Sequence, residues 1–254
     1  MARKKRSIPR TLFILFLVIL GIANIIYYVT KLIAEEPQVR YPEFGIYIPP
    51  GYALHGIDVS RYQKTINWEE VKNMEVNNIK IGFAFIKATE GLNRIDPQFN
   101  RNWLHAQKEN IPKGAYHFFI AGKSGKQQAE NFIEIVKLKR GDLPPVIDVE
   151  ESYGVDKQEL QKNLADCIKK IEEYYKIKPI LYTNISFYNN FLKGDFDEHK
   201  FWIAHYSQPG RPRIERKWSF WQHSEKGRVN GIRSMVDFNV FSGDSTDFDE
   251  LLLK

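Results

Sequence analysis

The residues best suited to chemistry lie in the segment Leu143-Pro144-Pro145-Val146-Ile147-Asp148-Val149-Glu150. An apolar run ends there in two carboxyls at i and i+2, and the two-residue period of a strand turns both to one face. Their Cα atoms then lie roughly 6.5 Å apart. Two acids so placed repel when ionised, which raises one pKa and can hold a proton on a general acid at neutral pH. Two more acids follow apolar runs: Asp58 in His55-Gly56-Ile57-Asp58-Val59-Ser60, and Asp237 in Met235-Val236-Asp237-Phe238-Asn239. Each has a plainer reading. Surface strands often carry a D-x-E, Asp58 is of the type that caps a turn, and Asp237 has Arg233 nearby as an ion-pair partner. His117, in Tyr116-His117-Phe118, suits a hydrogen-bonded core position as well as a site. Four acids on three strand ends are more than solvation needs.

For those acids to meet, their strands must share one rim. From Leu54 onward, short β-rich runs alternate with longer amphipathic stretches. The pattern predicts strands at Leu54–Val59, Ile79–Lys87, Gly114–Phe119, Pro145–Glu150, Pro179–Tyr182, Phe201–His205, Ser219–His223 and Met235–Val240. Helices are expected at Trp68–Asn73, Pro97–Glu109, Lys126–Lys137, Asp156–Tyr175 and Ser186–Phe191, with Phe99, Trp103 and Leu104 facing the sheet. The last three strands have connections too short for crossover helices. Five βα units followed by three strands predict an α/β fold, an irregular TIM-like (β/α)5β3 barrel, in which strand C-termini carry the chemistry.

The 254 residues, 43% hydrophobic and 14% aromatic, suit one substantial domain and exclude a disordered or collagen-like chain. Cys167 is the only cysteine, so an internal disulfide and a multi-cysteine zinc site are both excluded. It falls on the apolar stripe of Leu160, Leu164, Ile168 and Ile171 and reads as a small hydrophobe. The net charge of +6 sits in residues 1–34, which hold six basic residues and no acid; the remainder balances 31 against 31. Nothing in the main domain suggests nucleic-acid binding.

The N-terminus reads as a membrane address. A basic tail at 1–10 precedes an uncharged run, residues 11–29, that as a helix spans roughly 28 Å, about the hydrocarbon thickness of a bilayer. It is longer than the apolar core of a cleavable signal peptide and ends at Tyr27, Tyr28 and Lys31 without a small-x-small site. We therefore expect a transmembrane signal anchor at 11–30, a cytoplasmic N-terminus by the positive-inside rule, and a domain outside the cytoplasm; cleavage is the alternative. A Pro-containing tether is expected at 31–53, although Tyr41, Phe44, Ile46, Tyr47 and Ile48 are able to pack on the domain that follows at 54–254.

A resemblance joins these features. His55–Gln63, Phe85–Gly91, Gly114–Phe118, Asp148–Glu150, Phe201–Tyr206, Trp221-Gln222 and Val236–Asn239 resemble, in order, the signature blocks of glycoside hydrolase family 25, the Chalaropsis-type lysozymes or N-acetylmuramidases. The blocks cover about residues 54–243; Phe238 stands where a Leu is common. The resemblance implies the same (β/α)5β3 barrel and peptidoglycan glycan strands as the partner. The bond cut would be the β-1,4 link between N-acetylmuramic acid and N-acetylglucosamine. It makes Asp58, Asp148, Glu150 and Asp237 the catalytic cluster, with Glu150 as the acid. Two schemes stay open: the substrate's own acetamido oxygen as nucleophile with Asp148 stabilising the ring it forms, or inversion with Asp58 or Asp237 activating water. Acids without a convergent histidine set imply no metal, and no cofactor is expected. Tyr62, Tyr116, Tyr182, Trp202 and Tyr206 are candidates to stack on sugars or donate hydroxyls, and Gln222 to bind an acetamido group. Lys87 and Glu90 suit a structural ion pair. Two other function classes remain: a hydrolase of another N-acetylhexosamine polymer, and a silent glycan-binding module, which would have no need of Glu150.

Overall fold

The computed structural model describes residues 10–33 and 38–254; most of the basic tail (residues 1–9) and residues 34–37 lie outside the described residues. Arg10–Ile33 form one helix. Its Thr11–Val29 stretch has a mean hydropathy of 2.6 and no buried residue, and it is long and apolar enough to cross a membrane. The one amide within it, Asn24, donates back to the Leu20 carbonyl at 3.0 Å, so the helix satisfies its own polar group.

The second compact unit spans Gln38–Lys254. Eight strands close into its barrel: β1 (His55–Val59), β2 (Ile79–Glu90), β3 (Lys113–Phe118), β4 (Val146–Asp148), β5 (Ile180–Asn184), β6 (Phe201–Ala204), β7 (Phe220–Gly227) and β8 (Val236–Phe241). β1 to β7 run parallel in chain order. β8 inserts antiparallel between β7 and β1 and completes the ring. Helices α1 (Trp68–Asn73), α2 (Phe99–Lys108), α3 (Gly125–Ile135) and α4 (Lys157–Tyr175) follow the first four strands, and a short helical stretch from Ile185 to Leu192 follows β5. The expected (β/α)5β3 architecture is the one observed.

Period two divides each strand between two cores. Outward residues such as Ile57, Ile86, Ala115, Ile147 and Ile203 pack beneath the helices. Inward residues, among them Phe83, Phe85, Val146, Ile180, Trp202, Phe220 and Phe241, fill the barrel. The aromatic filling dictates glycine opposite it: a Cβ on Gly56 would lie 2.4 Å from the Phe83 ring, and one on Gly114 2.6 Å from Phe85. Cys167 is buried on α4, as its spacing predicts.

Two expectations need correction. Residues 38–53 are not a tether: Val39–Tyr41 and Ile46–Ile48 form an antiparallel hairpin. Its Phe44 is wholly buried and packs on the Phe238 ring at 5.3 Å, beside buried Ile46 and Ile48. Apolar residues outweigh the prolines there, and burying them against the barrel costs no helix or strand the prolines would have broken. Leu104 does not face the sheet; it is 64% exposed, whereas Phe99 is buried and Trp103 half-buried. Phe99 and Trp103 are four residues apart and share a helix face, but one further residue turns Leu104 about 100° away.

Candidate active site

The barrel's upper rim collects the acids. Asp58 is next to last in β1 and Asp148 ends β4, while Glu150 lies two residues past Asp148, half-buried, in the loop that β4 feeds. Asp237 comes near the start of its strand. Because β8 runs opposite to its neighbours, that start reaches the same rim, and Asp237 pairs in register with Asp58. Arg233 is not its partner; the Asp237 carboxyl shares a hydrogen bond with Asp58 instead. Nor does Asp58 cap the following turn: Ser60 does so, accepting from the Tyr62 amide.

A polar network beneath the rim holds Asp58 in place. Its Oδ2 accepts from Gln222 Nε2 at 2.8 Å and from Asn239 Nδ2 at 2.8 Å. Gln222 is oriented in turn, its Oε1 accepting the Tyr182 hydroxyl at 2.9 Å and the Tyr206 hydroxyl at 2.7 Å. The Trp202 indole N–H does the same for Asn239, donating to Oδ1 at 2.7 Å. An amide whose oxygen is taken by hydroxyls can only offer its NH2 to the carboxylate, so three aromatic side chains fix the donors that face Asp58.

Burial dominates the electrostatics of all four acids. It raises Asp58, although the N–H groups of Asn239 and Gln222 pull it back down. Asp237 is raised by burial and then by the Asp58 charge beside it, so the two carboxyls titrate as a pair that favours holding one proton between them. Asp148 rises well above the carboxylate range through burial and the Glu150 charge, with Lys87 opposing. Glu150 is raised by burial, then by Glu151 and Asp58. The Oδ1 of Asp148 is buried and has no hydrogen-bond partner.

The other candidates separate by exposure. Tyr206 (38% exposed) and Tyr62 (68%) present ring surface, the Tyr62 hydroxyl lying 3.4 Å from Arg61 Nη2. Tyr116 and Tyr182 are buried, both close enough to feel Asp58 and Asp148. Trp202 is 2% exposed and stacked on Phe85 at 4.4 Å, so its ring is filled on the barrel side and has no face to offer a sugar. Its contribution is the bond to Asn239. Lys87 and Glu90 pair at 2.8 Å, and Arg94 joins them at 2.7 Å. His117 faces the helices, bonded to Thr89 at 2.7 Å and Gln128 at 3.3 Å; burial lowers its pKa to about 4 and it stays neutral. Asn239 is the participant that motif reading passes over, although it lies two residues after Asp237 and so shares its inward face. No group of three or more His, Cys, Asp or Glu is arranged to hold a metal among the described residues.

A barrel mouth that gathers four carboxyls, each raised by burial, is the equipment of a glycoside hydrolase. The sequence profile of Glycosyl hydrolases family 25 matches residues 57–232, and the chain belongs to that family. It is 44% identical over 200 residues to YegX of Escherichia coli (strain K12), covering 79% of this chain and 74% of that protein. Lysozyme M1 of Streptomyces globisporus is 34% identical over 205 residues, covering 75% and 68%. A family 25 glycosyl hydrolase from Bacillus anthracis superposes with a TM-score of 0.73 at 32% identity, covering 87% of this chain and 99% of that one. The bacterial lysozyme of Streptomyces coelicolor superposes at 0.69 with 32% identity, covering 78% and 96%.

Proposed function

We propose that the protein is a lysozyme-type muramidase that hydrolyses the bond between N-acetylmuramic acid and N-acetylglucosamine in peptidoglycan. Its family membership and its likeness to lysozymes support that substrate. The observation that carries the roles is the Asp148–Glu150 pair at the mouth, with the Glu150 pKa raised and its side chain only half-buried. Glu150 gives its proton to the leaving oxygen. The buried Asp148 Oδ1, without a partner, is the acceptor an acetamido N–H would fill. That favours the route in which the acetamido oxygen attacks C1, the C1–O bond breaks, and the leaving oxygen takes the Glu150 proton. Water then opens the cyclic intermediate, giving one proton back to Glu150. Asp58, held by Gln222, Asn239 and the proton it shares with Asp237, supplies a fixed negative charge under the sugar. Tyr62 and Tyr206 provide exposed rings for neighbouring sugars.

Digestion of purified peptidoglycan by the full chain in detergent, with mass analysis of the products, tests the reading. Muramic acid reducing ends are expected. Glu150→Gln keeps the size and removes the transferable proton, so the rate is expected to fall by ~10²–10⁴. Parent activity in E150Q would assign the proton to another group; cleavage of chitin in preference to peptidoglycan would move the substrate to another N-acetylhexosamine polymer.

The helix Arg10–Ile33 supports a membrane-anchored reading, with the catalytic domain outside the cytoplasm where peptidoglycan lies. Only four residues separate Ile33 from Gln38, so an anchored enzyme would cut wall close to its membrane, which suits remodelling better than diffusible lysis.

A further inference from the structure

Beside the acid rim lies a cleft of about 1030 Å³ that the chemistry above does not use. It is walled by residues 62–70, by the outer face of α2 from Arg101 to Glu109, and by residues 231–234. Among its lining residues, Tyr62 is four residues past Asp58 and Ser234 is three residues before Asp237. The two loops that shape it are fastened together: the Asn67 amide donates to the Gly231 carbonyl at 2.9 Å and Gln63 Nε2 to the Met235 carbonyl at 3.0 Å. Gly231 has φ +86°, and a Cβ there would lie 2.2 Å from the Asn67 oxygen, so the walls close only around glycine. On the same wall Lys64 holds φ +54°, a conformation that favours glycine.

The cleft's charges have an uneven account. Glu69 and Glu70 occupy the first turn of α1, where the helix dipole favours acids, and Glu70 also accepts from Asn67 at 2.8 Å. Lys64, Arg101, Lys108 and Arg233 are all exposed, and none is in an ion pair among the described residues. Four unmatched cations among three acids suit a ligand with several carboxylates and fewer amines. A peptide has that balance. A continuous polyphosphate would meet the acids.

We infer that this cleft receives the peptide branch of peptidoglycan, an inference that rests on the muramidase reading. A muramidase cuts at C1 of the muramic residue, and the lactyl ether of that same residue carries the peptide. The branch therefore leaves beside the reacting sugar, and the cleft, lined by Tyr62 and Ser234, is built from the loops that adjoin Asp58 and Asp237 in the chain. The cations hold its carboxylates and make peptide-bearing strands the better substrate.

The test compares two substrates with the full chain in detergent micelles: uncross-linked peptide-bearing glycan strands, and the same strands stripped of peptide by an amidase. The parent's ratio of kcat/KM, peptide-bearing over stripped, is expected to exceed one and to fall with added salt. In Arg101→Gln/Lys108→Gln it is expected to drop about threefold to tenfold, the value of two exposed ion pairs. An equal loss on both substrates, or an unchanged ratio, overturns the inference, as does competition by a glycerol phosphate polymer that leaves the ratio untouched. Hydrolysis of neither substrate by the parent overturns the muramidase reading itself.

Discussion

The two hydroxyls on Gln222 Oε1 allow the network under Asp58 to be dismantled in steps. Tyr182→Phe removes the donor at 2.9 Å and leaves the one at 2.7 Å from Tyr206; Tyr206→Phe does the reverse. Either change deletes one hydrogen bond but leaves the acceptor satisfied, which costs about 0.5–1.5 kcal/mol of stability. With both gone, a side chain only 3% exposed keeps a carbonyl oxygen with nothing to bond. That adds the desolvation penalty of a buried acceptor, about 1–3 kcal/mol. The double variant is therefore expected to lose more than the two single ones together, by roughly 1–2 kcal/mol. The same loss frees the amide to rotate, and a rotated Gln222 would turn oxygen rather than NH2 toward Asp58. Asp58 would then lose a donor that holds its pKa down, and its titration would move to higher pH. Urea unfolding of the parent and the three variants gives the cycle, and carbonyl-labelled Asp NMR follows the titration. Additivity within about 0.3–0.5 kcal/mol would show that the two hydroxyls act independently and would refute the network.

Two other expectations follow from the same acids and from the N-terminal helix. Asp58, Asp148, Glu150 and Asp237 all have folded pKa values raised above the unfolded values near 3.9–4.3, so their contribution favours folding at acid pH and declines as pH rises through and above that range. Asp148→Asn removes a carboxyl raised by burial and by the Glu150 charge, whose buried Oδ1 has no hydrogen-bond partner; its melting temperature is expected to gain on the parent's between pH 5 and pH 8, while activity is lost, and a gap that stays constant with pH would show that Asp148 is not penalised by ionising. Fractionation of cells expressing the full chain, with intact mass of the membrane pool, is expected to find the uncleaved protein in the membrane; a soluble exported product starting near residue 35 would defeat the anchor.

What the sequence made legible follows from which rules have a short range. Strand parity is local, so reading Asp58, Asp148 and Asp237 as inward needed only alternation, and the aromatic filling with Gly56 and Gly114 opposite Phe83 and Phe85 agrees with it. Stacking partners are not local. Trp202 has the residue type that binds sugars, but Phe85 from four strands away covers its face, and no spacing in one chain announces that contact. The same blindness hid Asn239, whose importance comes from Trp202 and Asp58 meeting it across the barrel. The hairpin at Val39–Ile48 was legible only as composition, because its apolar residues acquire meaning from the barrel wall they cover.

Asp237 shows how far a connection length reaches. Parity turns it inward, yet it begins its strand while Asp58 and Asp148 end theirs, and in an all-parallel barrel it would lie at the opposite mouth. A parallel return needs a dozen or more residues. The link from β6 to β7 has fifteen, residues 205–219, and those strands are parallel without a helix between them. From β7 to β8 only residues 228–235 are available, eight in all, so β8 has to turn back on β7. Closing the ring then sets β8 antiparallel to β1, which brings the start of one strand level with the end of the other and Asp237 opposite Asp58. The meeting of those two carboxyls is thus a consequence of a loop too short to cross over.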